Sequence, residues 1–186
     1  MSRVTLQGVY VGDDQIRKEL KVDGSGELII ITHTHSKVHE GLLFKASRYN
    51  ASVSNGGNIT LLVETGSKAV HTYVSGASTG DATINITQGV TATAGTAISV
   101  QNYNCNSSNT SSTSVSYSPT GVSGGTAFDG TELIPGGKNT GSGGSGTFGL
   151  EQVEFCPNTK YLITKTNISG STQAMDLSIT FYETTI

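Results

Sequence analysis

The strongest constraint in this chain lies near its end, in the runs Tyr161-Leu162-Ile163-Thr164-Lys165 and Met175-Asp176-Leu177-Ser178-Ile179-Thr180-Phe181. Both alternate side-chain character with period two, the spacing at which a strand sends successive side chains to opposite faces. Leu177, Ile179 and Phe181 then share one face, and Ser178 and Thr180 the other. Between the runs lies Asn167-Ile168-Ser169-Gly170-Ser171-Thr172, a cluster of turn formers that reverses the chain. The pair is predicted to be an antiparallel hairpin with one buried face. A lone hairpin is marginal in water, so the rest of the sequence must supply further strands.

It does so from residue 38 onward. Leu42–Tyr49, Ile59–Thr65, Val70–Val74, Ala82–Thr87, Ile98–Tyr103, Ser114–Tyr117, Glu132–Ile134 and Phe148–Phe155 are short β-type runs separated by turn residues such as Ser54-Asn55-Gly56-Gly57. No helical periodicity accompanies them. The 186 residues contain 24 glycines and only 34% apolar residues, a balance that suits thin β-layers and many turns better than helices. The expected fold is therefore all-β: a jelly-roll-like antiparallel β-sandwich over 38–186, preceded by an extended N-terminal arm over 1–37.

The arm has little apolar surface of its own. Val4-Thr5-Leu6 and Glu27-Leu28-Ile29-Ile30-Ile31 flank a stretch, Gln15 to Val22, that holds Arg17, Lys18, Glu19 and Lys21. Such a segment is expected to lie on another body, a neighbouring subunit included; an ordinary edge hairpin of the main domain is the alternative. Two later segments, Asn104–Ser114 and Thr120–Gly146, are rich in Asn, Ser, Thr and Gly. In a monomer, loops of this kind gain little from burial to offset their ordering, so Glu132-Leu133-Ile134-Pro135-Gly136-Gly137-Lys138 is expected to pack against a partner, with a mobile surface loop as the alternative for Gly141–Gly146.

Charge and motif content narrow the function. Charged residues make up 13% and the formal net charge is −3, so no broad basic surface points to nucleic acid. No apolar run is long enough to span a membrane, and MSRVTLQGVYVGDD lacks the apolar core of a signal peptide, so synthesis in a cytoplasm is expected. Cys105 and Cys156 are accordingly expected to be free thiols. Glu151 and Glu154 fall on opposite faces of a straight strand and cannot flank one substrate. With no nucleophile elbow, phosphate loop or Cys-x-x-Cys, neither an enzyme nor a cofactor is expected. Thr32-His33-Thr34-His35 is expected at a strand end, where His33 and His35 would share a face, and three copies about a threefold axis would present six imidazoles. Nothing else in the chain adds ligands, so no metal is assigned to them.

His39-Glu40-Gly41, Gln101-Asn102-Tyr103-Asn104, Ile134-Pro135-Gly136-Gly137, Pro157-Asn158-Thr159-Lys160-Tyr161, Asn167-Ile168-Ser169-Gly170 and Phe181-Tyr182-Glu183 occur in collinear order. As an ensemble over about residues 38–186 they resemble a family of tailed-bacteriophage virion proteins with jelly-roll bodies, some of them capsid decoration (cement) proteins. The segments Leu6-Gln7-Gly8-Val9-Tyr10 and Lys21–Leu28 are similar to leader segments of phage structural proteins, with departures in detail. The resemblance implies a homotrimer on the outer head surface that binds the major capsid protein and holds the shell against the pressure of packaged DNA. Contacts with capsid or neighbouring subunits are expected at Val4, Leu6, Tyr10, Arg17, Lys18, Leu28, Ile30, Leu133, Ile134 and Pro135. The alternative is a head- or tail-fibre tip that binds a host glycan, with Tyr49-Asn50 and Tyr103-Asn104 as candidate platforms.

Overall fold

The computed structural model describes residues 33–136 and 153–184. The chain divides into two units, residues 1–32 and 33–186, and everything described belongs to the second. The described elements are, in order, α1 (His33–His39), β1 (Leu43–Val53), β2 (Asn58–Glu64), β3 (Ala69–Ser75), β4 (Ala82–Gln88), β5 (Thr91–Thr93), β6 (Thr96–Ile98), β7 (Gln101–Asn102), β8 (Ser114–Tyr117), β9 (Thr120–Ser123), β10 (Thr126–Ala127), β11 (Glu132–Ile134), β12 (Val153–Phe155), β13 (Lys160–Asn167) and β14 (Gln173–Thr184).

The strands form two antiparallel sheets packed as a sandwich. One runs β12-β3-β14-β1-β7; the other runs β10-β4-β13-β2-β8-β6, with β11 also paired to β4. The first long strand meets the last, Phe44 lying opposite Phe181 and Ala46 opposite Ile179. In the second sheet β2 meets β13, Leu61 lying opposite Ile163. The chain thus alternates between sheets from β1 to β4, and again at β13 and β14.

That alternation corrects the hairpin expected at residues 161–181. β13 and β14 follow one another but lie in different sheets, and the turn between them crosses the sandwich. The reason is their shared need for cover: each has one apolar face, and facing each other across the core satisfies both. The parity itself holds. Met175, Leu177, Ile179 and Phe181 line the inner face of β14, with Tyr161 and Ile163 on β13 and Ile84 and Ile86 on β4. Phe155 stacks on Tyr161 with centroids 3.9 Å apart, and Phe128 meets both rings edge-on at 5.5 Å.

A second, smaller cluster sits outside the sandwich. The two-stranded β5–β9 sheet lays Val90 and Ala92 over Leu62 and Leu162 on the outer surface of the second sheet. Arg48 on β1 reaches across to β8, its guanidinium carbon 4.0 Å from the centre of the Tyr117 ring. This cation–π contact ties the two sheets together where β6 and β7 leave them.

The Ile98–Tyr103 run is divided between β6 and β7, which join different sheets. His33, Thr34 and His35 do not end a strand: His33–His39 is a helix, and Thr32 lies outside the described residues. Successive helical residues turn by about 100°, so His33 and His35 point to different sides and do not form the shared-face pair expected of a strand.

Candidate functional site

Turns and loops gather at the two ends of the sandwich, and the polar side chains with the most hydrogen bonds lie there. At the end away from α1, Asn167 and Gln173 are buried. Counting by twos from Tyr161 puts Asn167 on the inner face of β13, where its amide must find partners or be costly. Its Nδ2 donates to the carbonyls of Val53 at 2.8 Å and Ser171 at 2.7 Å. Its Oδ1 accepts from the Ser169 amide at 2.9 Å and Gln173 Nε2 at 2.8 Å. Gln173 Nε2 also donates to the Asp81 carbonyl at 3.1 Å, and its Oε1 accepts from the Gly80 amide. One buried pair therefore fixes the β1–β2, β3–β4 and β13–β14 connections together.

Lys165 belongs to the same inner row and is also buried. Its Nζ donates to the carbonyls of Ala77 at 2.5 Å and Asp176 at 3.1 Å. Burial lowers its pKa to about 8, a shift that the Asp176 charge opposes.

β11 packs at this end too, which alters the reading of Glu132–Lys138. Leu133 pairs with Thr83 and Ile134 with Ala82, so β11 is held by its own chain. Gly136 lies against Gly80: a Cβ on Gly136 would fall 2.0 Å from the Gly80 carbonyl carbon. The close glycine approach expected of a partner interface is thus made inside the subunit. Ile134 is a core residue, 1% exposed, and is withdrawn as a surface contact because the period of β11 turns it inward. Leu133, 62% exposed, and Pro135 face solvent. Val4, Leu6, Tyr10, Arg17, Lys18, Leu28 and Ile30 lie outside the described residues.

At the α1 end, the segment Asn104–Ser114 is expected from composition to be loose, yet it is held in place. Asn102 Nδ2 donates to the carbonyls of Gly41 at 2.9 Å and Asn109 at 3.1 Å. Asn109 Nδ2 reaches Gly41 O at 3.2 Å, and Asn104 Nδ2 reaches His39 O at 3.3 Å. Gly41 permits this approach: its φ is +66°, and a Cβ there would lie 2.1 Å from Ser107 Oγ. Glu183 anchors the far side, its Oε1 accepting from Ser111 Oγ at 2.6 Å, Ser112 N at 2.8 Å and Thr113 N at 2.9 Å. Burial alone would raise the pKa of this carboxyl; the donors around it outweigh burial and hold it below the ordinary value. Lys68 Nζ lies 3.8 Å from Glu183 Oε2.

A depression of about 330 Å³ opens here, lined by Leu42, Phe44, Lys68, Ser108, Asn109, Thr110 and Glu183. Its carboxylate is already committed to three donors, so the arrangement suits binding by amide and hydroxyl groups and not proton transfer. Glu154 faces His71 at 3.9 Å on the surface of the first sheet, and both described cysteines are unpaired and exposed. Among the described residues no three His, Cys, Asp or Glu side chains are grouped as for a metal ion, and no helix is long and apolar enough to cross a membrane. Tyr49 and Tyr103 are exposed, at 62% and 47%.

Asn167, Gln173 and Glu183 are not among the contact residues expected from the sequence. The parity of β13 carries a signal for Asn167; nothing local in the sequence announces that Glu183 serves a loop seventy residues away. No family model, curated protein or solved structure matches this chain.

Proposed function

We propose that this chain is a structural protein of a tailed-bacteriophage virion: a decoration protein that binds as a homotrimer to the major capsid protein on the outer head surface and stabilises the shell against internal DNA pressure. The observation that carries the reading is strand order. The sheets β12-β3-β14-β1 and β4-β13-β2, with β10 and β11 both on β4, fit one rolled-up antiparallel ribbon that pairs β1 with β14, β2 with β13, β3 with β12 and β4 with β10 and β11. Such an order supports the jelly-roll body that the resemblance implies. Supporting it, the loops at both ends are held rigidly by buried amides and a carboxylate, which suits a surface that must dock without a large ordering cost. Leu133 and Pro135 offer an exposed apolar edge beside β4 for such a contact. A protein that binds assembled shells and not free subunits stabilises the shell by mass action.

The exposed rings of Tyr49 and Tyr103, each followed by an asparagine, favour a second reading as a host-glycan-binding tip. One experiment separates the two. Purified protein is mixed with DNA-free phage shells and, separately, with host cells, and each is sedimented. Co-sedimentation with shells is expected; protein that ignores shells and coats bacteria reverses the order of the two readings.

A further inference from the structure

Helix α1 places His35 and His39 one turn apart on the same side. Their ring centroids are 4.7 Å apart with planes inclined at 37°, and the two Nε2 atoms are separated by 2.8 Å. At that distance the nitrogens share one proton between two lone pairs: one donates and the other accepts. Replacing the shared proton with a cation gives both lone pairs to the same acceptor.

The separation also selects the cation. Imidazole nitrogen binds first-row ions at about 2.0–2.1 Å, so two such bonds spanning the observed gap meet at roughly 85–90°. That is the angle between neighbouring ligands of a square-planar or octahedral centre. A tetrahedral centre with the same bond lengths would need the nitrogens roughly 3.3–3.4 Å apart. Imidazole suits Ni and Cu as well as Zn, and tetragonal geometry is characteristic of Ni²⁺ and Cu²⁺.

The helix end around the pair is braced. Ser36 Oγ and Lys37 Nζ both donate to the Glu40 carboxylate, at 2.7 and 2.6 Å, and Asn104 Nδ2 holds the His39 carbonyl. Both imidazoles therefore project from a turn fixed on its other side.

We propose that His35 and His39 form a bidentate site for a divalent late transition ion of tetragonal preference, Ni²⁺ or Cu²⁺, with water or a second molecule supplying the remaining ligands. The site differs from a His33–His35 pair in its residues, its helix and its coordination angle, and it does not depend on the virion assignment.

The test is calorimetric titration of tag-free, full-length protein with Ni²⁺ at neutral pH, alongside His35→Gln, His39→Gln and His71→Gln. The circular dichroism of each metal-free variant is compared with wild type first; all three positions are at least partly exposed, so unchanged spectra are expected. Wild type and His71→Gln are expected to bind alike, and each α1 variant at least tenfold more weakly. Equal affinity in wild type and His39→Gln, or in wild type and His35→Gln, overturns the proposal. Tighter binding of Zn²⁺ than of Ni²⁺ overturns the right-angle geometry on which the choice of ion rests.

Discussion

Lys165 lies on the inner face of β13 and is buried with its ammonium on two carbonyls and, among the described residues, no carboxylate at ion-pair distance. Its pKa falls from 10.5 to about 8, so between those pH values the unfolded chain still holds a proton that the folded chain has released. Stability therefore rises with pH across that window. Tyr161 acts in the opposite sense above it. Burial raises its pKa from 10.0 to about 12, against the opposing pull of the Cys156 amide, which donates to its hydroxyl at 2.8 Å. The unfolded chain then loses that proton first, and stability falls as pH climbs through the interval. Urea midpoints measured from neutral to strongly alkaline pH are expected to peak near pH 10. Lys165→Met should remove most of the rise, a change of up to about 3 kcal/mol between its two limits. On the acid side, the lowered pKa of Glu183 means that its contribution is complete above the ordinary carboxylate value of 4.5 and is lost as pH falls through the folded value. Glu183→Gln should flatten the acid limb of the same curve.

Among the elements, the period-two strands were the legible part. Ala82–Gln88, Asn58–Glu64 and Ala69–Ser75 lie where alternation and β-branching put them, because their inner rows of Val, Ile and Leu have no other place to go. β5, β9 and β10 were not legible: TAT, TGVS and TA carry almost no apolar residues, and β5 and β9 pair only with each other while β10 takes the open edge of β4. Helix α1 was missed for a related reason. HTHSKVH has neither a buried residue nor an acidic first turn, so tertiary surroundings and not propensity decide it. The pairing of β13 with β2 and β4, and not with β14, depends on contacts far apart in sequence that alternation cannot rank. Two substitutions probe these elements. Phe181→Ala opens a cavity in the inner row of β14 and should cost about 3–5 kcal/mol by urea unfolding. Asn167→Ala strips the hub from three connections and leaves buried carbonyls and an amide without partners, with an expected loss of about 3 kcal/mol.

For the molecule as a whole, the proposed virion role depends on surfaces and on the segment before His33. Removing residues 1–32 is expected to leave a folded body that no longer sediments with shells, since that segment has too little apolar content to fold alone. Undiminished co-sedimentation would take the segment out of the attachment mechanism. The pairing of β1 with β14 carries a separate consequence for biosynthesis. Leu43 finds its neighbour at Tyr182, so the central seam of the first sheet cannot close until the chain as far as Tyr182 has left the ribosome. The emerging polypeptide must wait, with half-built sheets open to stray association, until β14 appears and slides between β3 and β1, two strands made long before it.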